Sequence, residues 1–151
     1  MIKRKFSLVL PVFVLAVSLG FAQGTGNEYP PHAIIVAAYR GDHNMVKELL
    51  DIGVDKDVRD ALGATALHAA MFQKDLITVK LLIDYGFDLN VRATKNGNTP
   101  LHFAVASNNL GAARLLLQHN ANKNIRNLEG LTPLEKARRE EKDEMIRLLY
   151  R

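Results

Sequence analysis

The stretch Thr99-Pro100-Leu101-His102-Phe103-Ala104 decides how the rest of the chain is read, because it returns on both sides of itself. Thirty-four residues upstream stands Thr65-Ala66-Leu67-His68-Ala69-Ala70, and thirty-three downstream stands Thr132-Pro133-Leu134-Glu135. A period in this range marks a stack of small units, each too small to fold alone. Sixteen residues after each threonine a second apolar block recurs, as Leu81-Leu82-Ile83, Leu115-Leu116-Leu117 and Leu148-Leu149-Tyr150. Two residues before each threonine stands a glycine, at Gly63, Gly97 and Gly130, and small residues recur at Ala69-Ala70, Ala104 and Ala137. The same ruler laid upstream finds a degenerate first copy at residues 32–38, followed by Gly41 and Leu49-Leu50.

Each copy carries the chemistry of two helices. The threonine side chain suits an N-cap, where its oxygen takes an orphan N–H of the first turn. Pro100 and Pro133 fall at the first helical position, where a missing N–H does no harm, and Thr132 with Glu135 forms a capping box. Val79, Leu82 and Ile83, like Met145, Leu148 and Leu149, share one face at helical spacing. Gly53, Gly86 and Asn120 close these second helices at the left-handed position.

The period and the motif resemble the ankyrin repeat family over residues 31–151. The resemblance implies an all-α fold, an ankyrin-repeat solenoid of about four helix-turn-helix/β-hairpin repeats, at about 31–60, 61–93, 94–127 and 128–151. Three departures locate its irregularities. The first copy lacks the threonine motif and places Glu48 where later copies have leucine, so it is either a cap or an eroded repeat. One extra residue between Arg92 and Gly97 is expected to lengthen a hairpin tip and leave the helices in register. The fourth copy replaces small apolar residues with charge over residues 135–140, the polar outer face that a terminal cap requires.

Catalytic and cofactor constellations find no support. There is no cysteine, Ser107 is the only serine after residue 22, and no nucleophile elbow, Walker loop or dinucleotide fingerprint is present. The acidic residues at 140–144 alternate with basic ones and read as a solvated surface. His68 and His102 share a motif position, which puts them about 10 Å apart, too far to share one metal. The resemblance gives this histidine a structural role, tying threonine and backbone of adjacent repeats. The chain is therefore expected to be no enzyme and to need no cofactor or metal.

What remains is surface. By the resemblance, partners are bound by the hairpin tips and the ends of the first helices, on a concave face. The helix row is Tyr39-Arg40, Phe72-Gln73, Ala106-Ser107 and Arg139-Glu140. The hairpin row is Arg59, Asp60, Leu62 and Ala64, then Arg92, Lys95, Asn96 and Asn98, then Arg126, Asn127, Glu129 and Leu131. Arg59, Arg92 and Arg126 occupy one repeat position. They read either as a guanidinium ladder for partner carboxylates or as ordinary basic residues of the scaffold. Tyr39 and Phe72 are aromatic anchors of the kind that dominate interfaces, with packing against a neighbouring helix as the alternative for Phe72.

Ahead of the repeats, residues 1–22 carry Lys3, Arg4 and Lys5, an apolar run from Phe6 to Leu19 broken by Pro11, and small residues at Gly20 and Ala22. This is the pattern of a cleavable signal peptide, with residues 23–30 as linker. Its loss takes the formal charge from +4 to +1, which disfavours nucleic acid. No Asn-x-Ser/Thr acceptor follows it, a lean toward a bacterial envelope protein. The expectation is an exported protein, periplasmic or secreted, monomeric, free of the membrane after cleavage and binding another protein. Protection of a resident periplasmic enzyme and engagement of a host protein are the alternatives.

Overall fold

A computed structural model describes residues 29–150 of the chain. The expected signal peptide, and the linker up to residue 28, lie outside the described residues. Among the described residues there are eight helices and no strand. They are α1 (Ala33–Arg40), α2 (His43–Asp51), α3 (Ala66–Ala70), α4 (Ile77–Asp84), α5 (Pro100–Ala106), α6 (Leu110–Gln118), α7 (Pro133–Arg139) and α8 (Asp143–Tyr150). The helices are paired, and the pairs stack. First helices form one layer, with α1 on α3, α3 on α5 and α5 on α7; second helices form the other, with α2 on α4 and α6 on α8.

Local chemistry explains where the helices begin. Thr65, Thr99 and Thr132 hold extended backbone and open α3, α5 and α7. In α7, Thr132 N–H donates to Glu135 Oε2 at 2.7 Å, and Glu135 N–H donates back to Thr132 Oγ1 at 3.2 Å. In α3 and α5 an imidazole replaces the carboxylate, because Thr65 N–H and Thr99 N–H donate to Nδ1 of His68 and His102 at 3.1 and 3.2 Å. The capping box thus recurs in three repeats with two different acceptors. α2 and α6 are capped by Asp42 and Asn109, each accepting an N–H three residues on. The second helices end as expected, with Gly53, Gly86 and Asn120 at φ of +80°, +78° and +64°.

Burial follows the period. Leu49, Leu82, Leu116 and Leu149 sit at one position in the four pairs and are all buried, as are Ala37, Ala70, Ala104 and Ala137 at another. A small residue at the second position lets neighbouring helices approach closely. Glu48 is explained by its place on the first repeat: it is exposed and accepts a 2.7 Å hydrogen bond from the Tyr29 hydroxyl. The extra residue of the third copy is absorbed in its hairpin. Asp60 N–H and Asn127 N–H close their hairpins on Ala64 O and Leu131 O, whereas Ala93 N–H spans one residue more to reach Asn98 O at 2.9 Å.

Adjacent hairpins meet edge to edge, with Lys95 N–H donating to Leu62 O at 3.2 Å and Leu128 N–H to Asn96 O at 2.9 Å. This approach requires glycine at the motif position. A Cβ on Gly63 would lie 2.6 Å from Thr94 N, and one on Gly97 would lie 2.9 Å from Leu128 N.

The fourth copy corrects one expectation. Its charges do not all face outward: Lys136 is buried, and its ammonium pairs with Glu140 Oε1 at 2.6 Å. Glu140 also binds Lys142 at 2.7 Å. Burial opposes ionisation of Glu140, yet the two ammonium groups hold its carboxyl below the usual range. A buried cation is tolerated here because it is paired.

Candidate functional site

The first-helix ends are held rigidly by side chains from the following repeat. Ser107 Oγ donates to Met71 O at 2.7 Å, and Asn109 Nδ2 donates to the same carbonyl at 3.0 Å. Lys142 Nζ donates to Val105 O and Ala106 O at 2.6 and 2.8 Å, and Gln73 Nε2 donates to Tyr39 O. Four different residues therefore satisfy the carbonyls that a helix C-terminus leaves open. Of the predicted row, Gln73 and Ser107 serve as ties between repeats.

The histidines add a second set of ties. With Nδ1 accepting from threonine N–H, the proton sits on Nε2. His68 Nε2 donates to Asn98 O at 3.0 Å, and His102 Nε2 donates to Leu131 O at 2.9 Å. Each imidazole joins the start of its own helix to the hairpin of the next repeat. Burial pushes His68 down to about 4, against the bond to Asn98, and lowers His102 in the same direction. Both rings are held neutral. Among the described residues no group of three or more His, Asp or Glu is placed to hold a metal ion.

On this frame the helix row presents an aromatic shelf. Tyr39 is 57% exposed and Phe72 47% exposed, with ring centroids 5.8 Å apart and tilted by 59°. Phe72 meets Phe103 edge-on at 6.0 Å, and Phe103 meets His68 at 4.9 Å. Phe72 both packs and faces solvent, so its two readings combine. Phe103, absent from the predicted row, is buried and supports the shelf from below. Its signal was the aromatic placed beside the motif histidine. Arg40, Ala106 and Arg139 are exposed, and Arg139 pairs with Glu129.

The hairpin row is partly surface and partly brace. Arg59 Nη1 donates to Gly63 O at 2.9 Å and to Arg92 O at 3.1 Å. Arg92 Nε donates to Gly97 O at 3.3 Å, and Arg126 Nη1 donates to Gly130 O and Glu135 Oε2, both at 2.6 Å. The common position of the three arginines thus has a common first task, closing their own hairpin on its glycine carbonyl. Lys95 is exposed, Asn96 is half-buried and Leu62 is 50% exposed. Ala64 and Asn127 are buried and leave the surface row. Asn127 Oδ1 accepts Glu129 N–H and Leu131 N–H at 3.0 Å each, the turn that Asp60 makes in the first hairpin. Leu128, which the row omitted, is 65% exposed beside them.

A groove runs between α1 and the first hairpin, lined by His32, Ile35, Val36, Arg59, Asp60 and Ala61 and enclosing about 290 Å³. Its walls come from segments some 25 residues apart, so no local motif announces it.

The sequence profile described as ankyrin repeats (3 copies) matches residues 34–127 and 94–151. The chain belongs to the ankyrin repeat family. An ankyrin repeat protein of Rickettsia bellii is 39% identical over 120 residues, covering 77% of this chain and 65% of that protein. The mouse B-cell lymphoma 3 protein homolog is 33% identical over 127 residues, covering 82% of this chain and 28% of its own length. An ankyrin repeat protein of Fowlpox virus is 40% identical over 93 residues, or 62% of this chain and 27% of that protein. The chain thus spans less than two thirds of each of these relatives. Ankyrin repeats indicate a protein–protein interaction module. Among the described residues no helix is long and apolar enough to cross a membrane.

Proposed function

We propose that this ankyrin protein is exported, acts without catalysis, and binds a protein partner through the concave face formed by its first helices and hairpin tips. One observation carries the reading. Tyr39 and Phe72 stand about half exposed while Gln73 fastens the Tyr39 carbonyl and Ser107 the carbonyl of Met71, next to Phe72, so two large apolar groups are offered to solvent on a preformed support. Exposed aromatics in fixed positions lose little entropy on association, which is the condition for an interface anchor. Arg40, Arg59, Leu62, Arg92, Lys95, Asn96, Arg126 and Arg139 complete the proposed rows.

Crosslinking pull-down with the wild type and a Tyr39→Ala, Phe72→Ala double variant tests the site. Loss of the specific partner from the variant supports it, and equal recovery refutes it. The export reading rests on residues 1–22. Fractionation of the producing cell checks it: a cleaved chain in periplasm or medium agrees, and an uncleaved cytoplasmic chain does not.

A further inference from the structure

We propose that the segment bound is extended and acidic, carries one aromatic or branched aliphatic anchor, and docks on the first three repeats instead of along the whole concave face. The inference rests on the protein-binding reading above and narrows it.

Apolar surface and uncompensated positive charge coincide in that region. The shelf of Tyr39 and Phe72 lies there with Leu62, and Val36 stands one helical turn before Tyr39, so the 290 Å³ groove and the shelf share a face of α1. The groove has Ile35 and Val36 on one wall and Arg59 on another, which suits an apolar side chain followed by a carboxylate. Beyond Phe72 the helix row continues as Ala106 and Arg139, without an aromatic.

The charges divide along the same line. Along the first two hairpins Arg59, Arg92 and Lys95 stand with a single carboxylate, Asp60. Asp60 Oδ1 already accepts Leu62 N–H and Ala64 N–H at 2.8 Å each. At the last hairpin and in the fourth repeat the cations are neutralised within the chain, Arg126 by Glu135 and Arg139 by Glu129. The hairpin-closing bonds use Nη1 of Arg59 and Nε of Arg92, and a guanidinium has five donors in a fixed fork, so both keep donors for a partner carboxylate. Single-stranded nucleic acid is the weaker fit. The rings tilt and meet edge-on, leaving no row of parallel open faces for base stacking.

The test is selection of random 12-residue phage-displayed peptides on the immobilised full-length chain, followed by fluorescence anisotropy with the most enriched synthetic peptide. Enriched peptides should carry an excess of Asp and Glu around one aromatic or branched aliphatic residue. Phe72→Ala and, separately, Tyr39→Ala should weaken binding about tenfold or more, the loss expected for an interface anchor. Lys95→Glu should weaken it about fivefold, while Lys80→Glu, the same charge change on the exposed side of α4, should alter it less than about twofold. Affinity should fall as salt is raised. Circular dichroism melts confirm that each variant is folded.

Enriched neutral or basic peptides that still depend on Phe72 overturn this inference and leave the concave-face reading standing. Peptides indifferent to both aromatics overturn both. Absence of enrichment, tighter binding of a labelled 12-nucleotide oligo-dT, or Phe72-dependent self-association in light scattering each overturns the acidic-segment proposal.

Discussion

Acidification should loosen the stack at its histidine ties, and the size of the effect follows from His68. In the folded chain burial holds this imidazole at about 4, whereas in an unfolded chain it titrates near 6.5. Below about 6.5 the unfolded state therefore binds a proton that the folded state refuses. Stability is full above that point, declines as the pH falls, and the contribution is spent by about pH 4. Integrated from pH 7.5 to pH 5.0, the shift amounts to about 2 kcal/mol for this one group. His102 is shifted in the same direction and adds to it. For a domain stable by about 5–15 kcal/mol this is a substantial share. Urea melts at the two pH values measure it in the wild type and in His68→Gln. Glutamine supplies an acceptor for Thr65 N–H in the capping box but no titrating group. The variant should lose about 2 kcal/mol less than the wild type over the same interval. Glu129, Glu135 and Glu140, held below their usual range by ion pairs or hydrogen bonds, lose their contributions at lower pH and so do not mimic the effect. An equal pH response in both proteins, or a wild type more stable at pH 5.0, would refute the tie.

Glu141 is a non-glycine residue at φ +54°, so Glu141→Gly should stabilise the chain by about 1 kcal/mol in urea melts. Two glycine-to-alanine changes at similar φ should differ. Gly53→Ala meets open space and should cost about 1 kcal/mol, while Gly63→Ala must displace the Thr94 backbone and should cost more than about 2 kcal/mol. Deleting residues 132–151 removes α7 and α8, uncovers the Leu101 and Leu116 faces, and should produce aggregation detectable by light scattering. A soluble truncation that melts cooperatively would contradict the capping role of the last pair.

What was legible in the sequence is what the backbone decides locally. The Thr-to-N3 capping interaction spans three residues, and the left-handed exits at Gly53, Gly86 and Asn120 concern single residues, so type and spacing were enough to place the helices. The outcome at Arg59 was not legible, because its guanidinium bonds Arg92 O thirty-three residues on, an acceptor that exists only once the hairpins stack. Periodicity identified Arg59, Arg92 and Arg126 as equivalent but carried no information about which way each side chain folds. Lys136 shows the same limit. Its charge read as surface; Glu140 stands four residues on and can pair with it locally, but that Lys136 is buried depends on the helices packed around α7, which spacing along the chain does not show. Phe103 was visible as an aromatic beside the motif histidine, but its contact with the exposed Phe72 forms only once α3 and α5 stack.

The central claim, that the concave aromatic shelf is the surface a partner meets, is tested most directly by photo-crosslinking from single positions in the living producer cell. A benzophenone amino acid placed at Tyr39 or Phe72 should yield a discrete protein adduct, and the same probe at Lys80 should yield none. Adducts from Lys80 alone, or identical adducts from all three positions, would contradict the account.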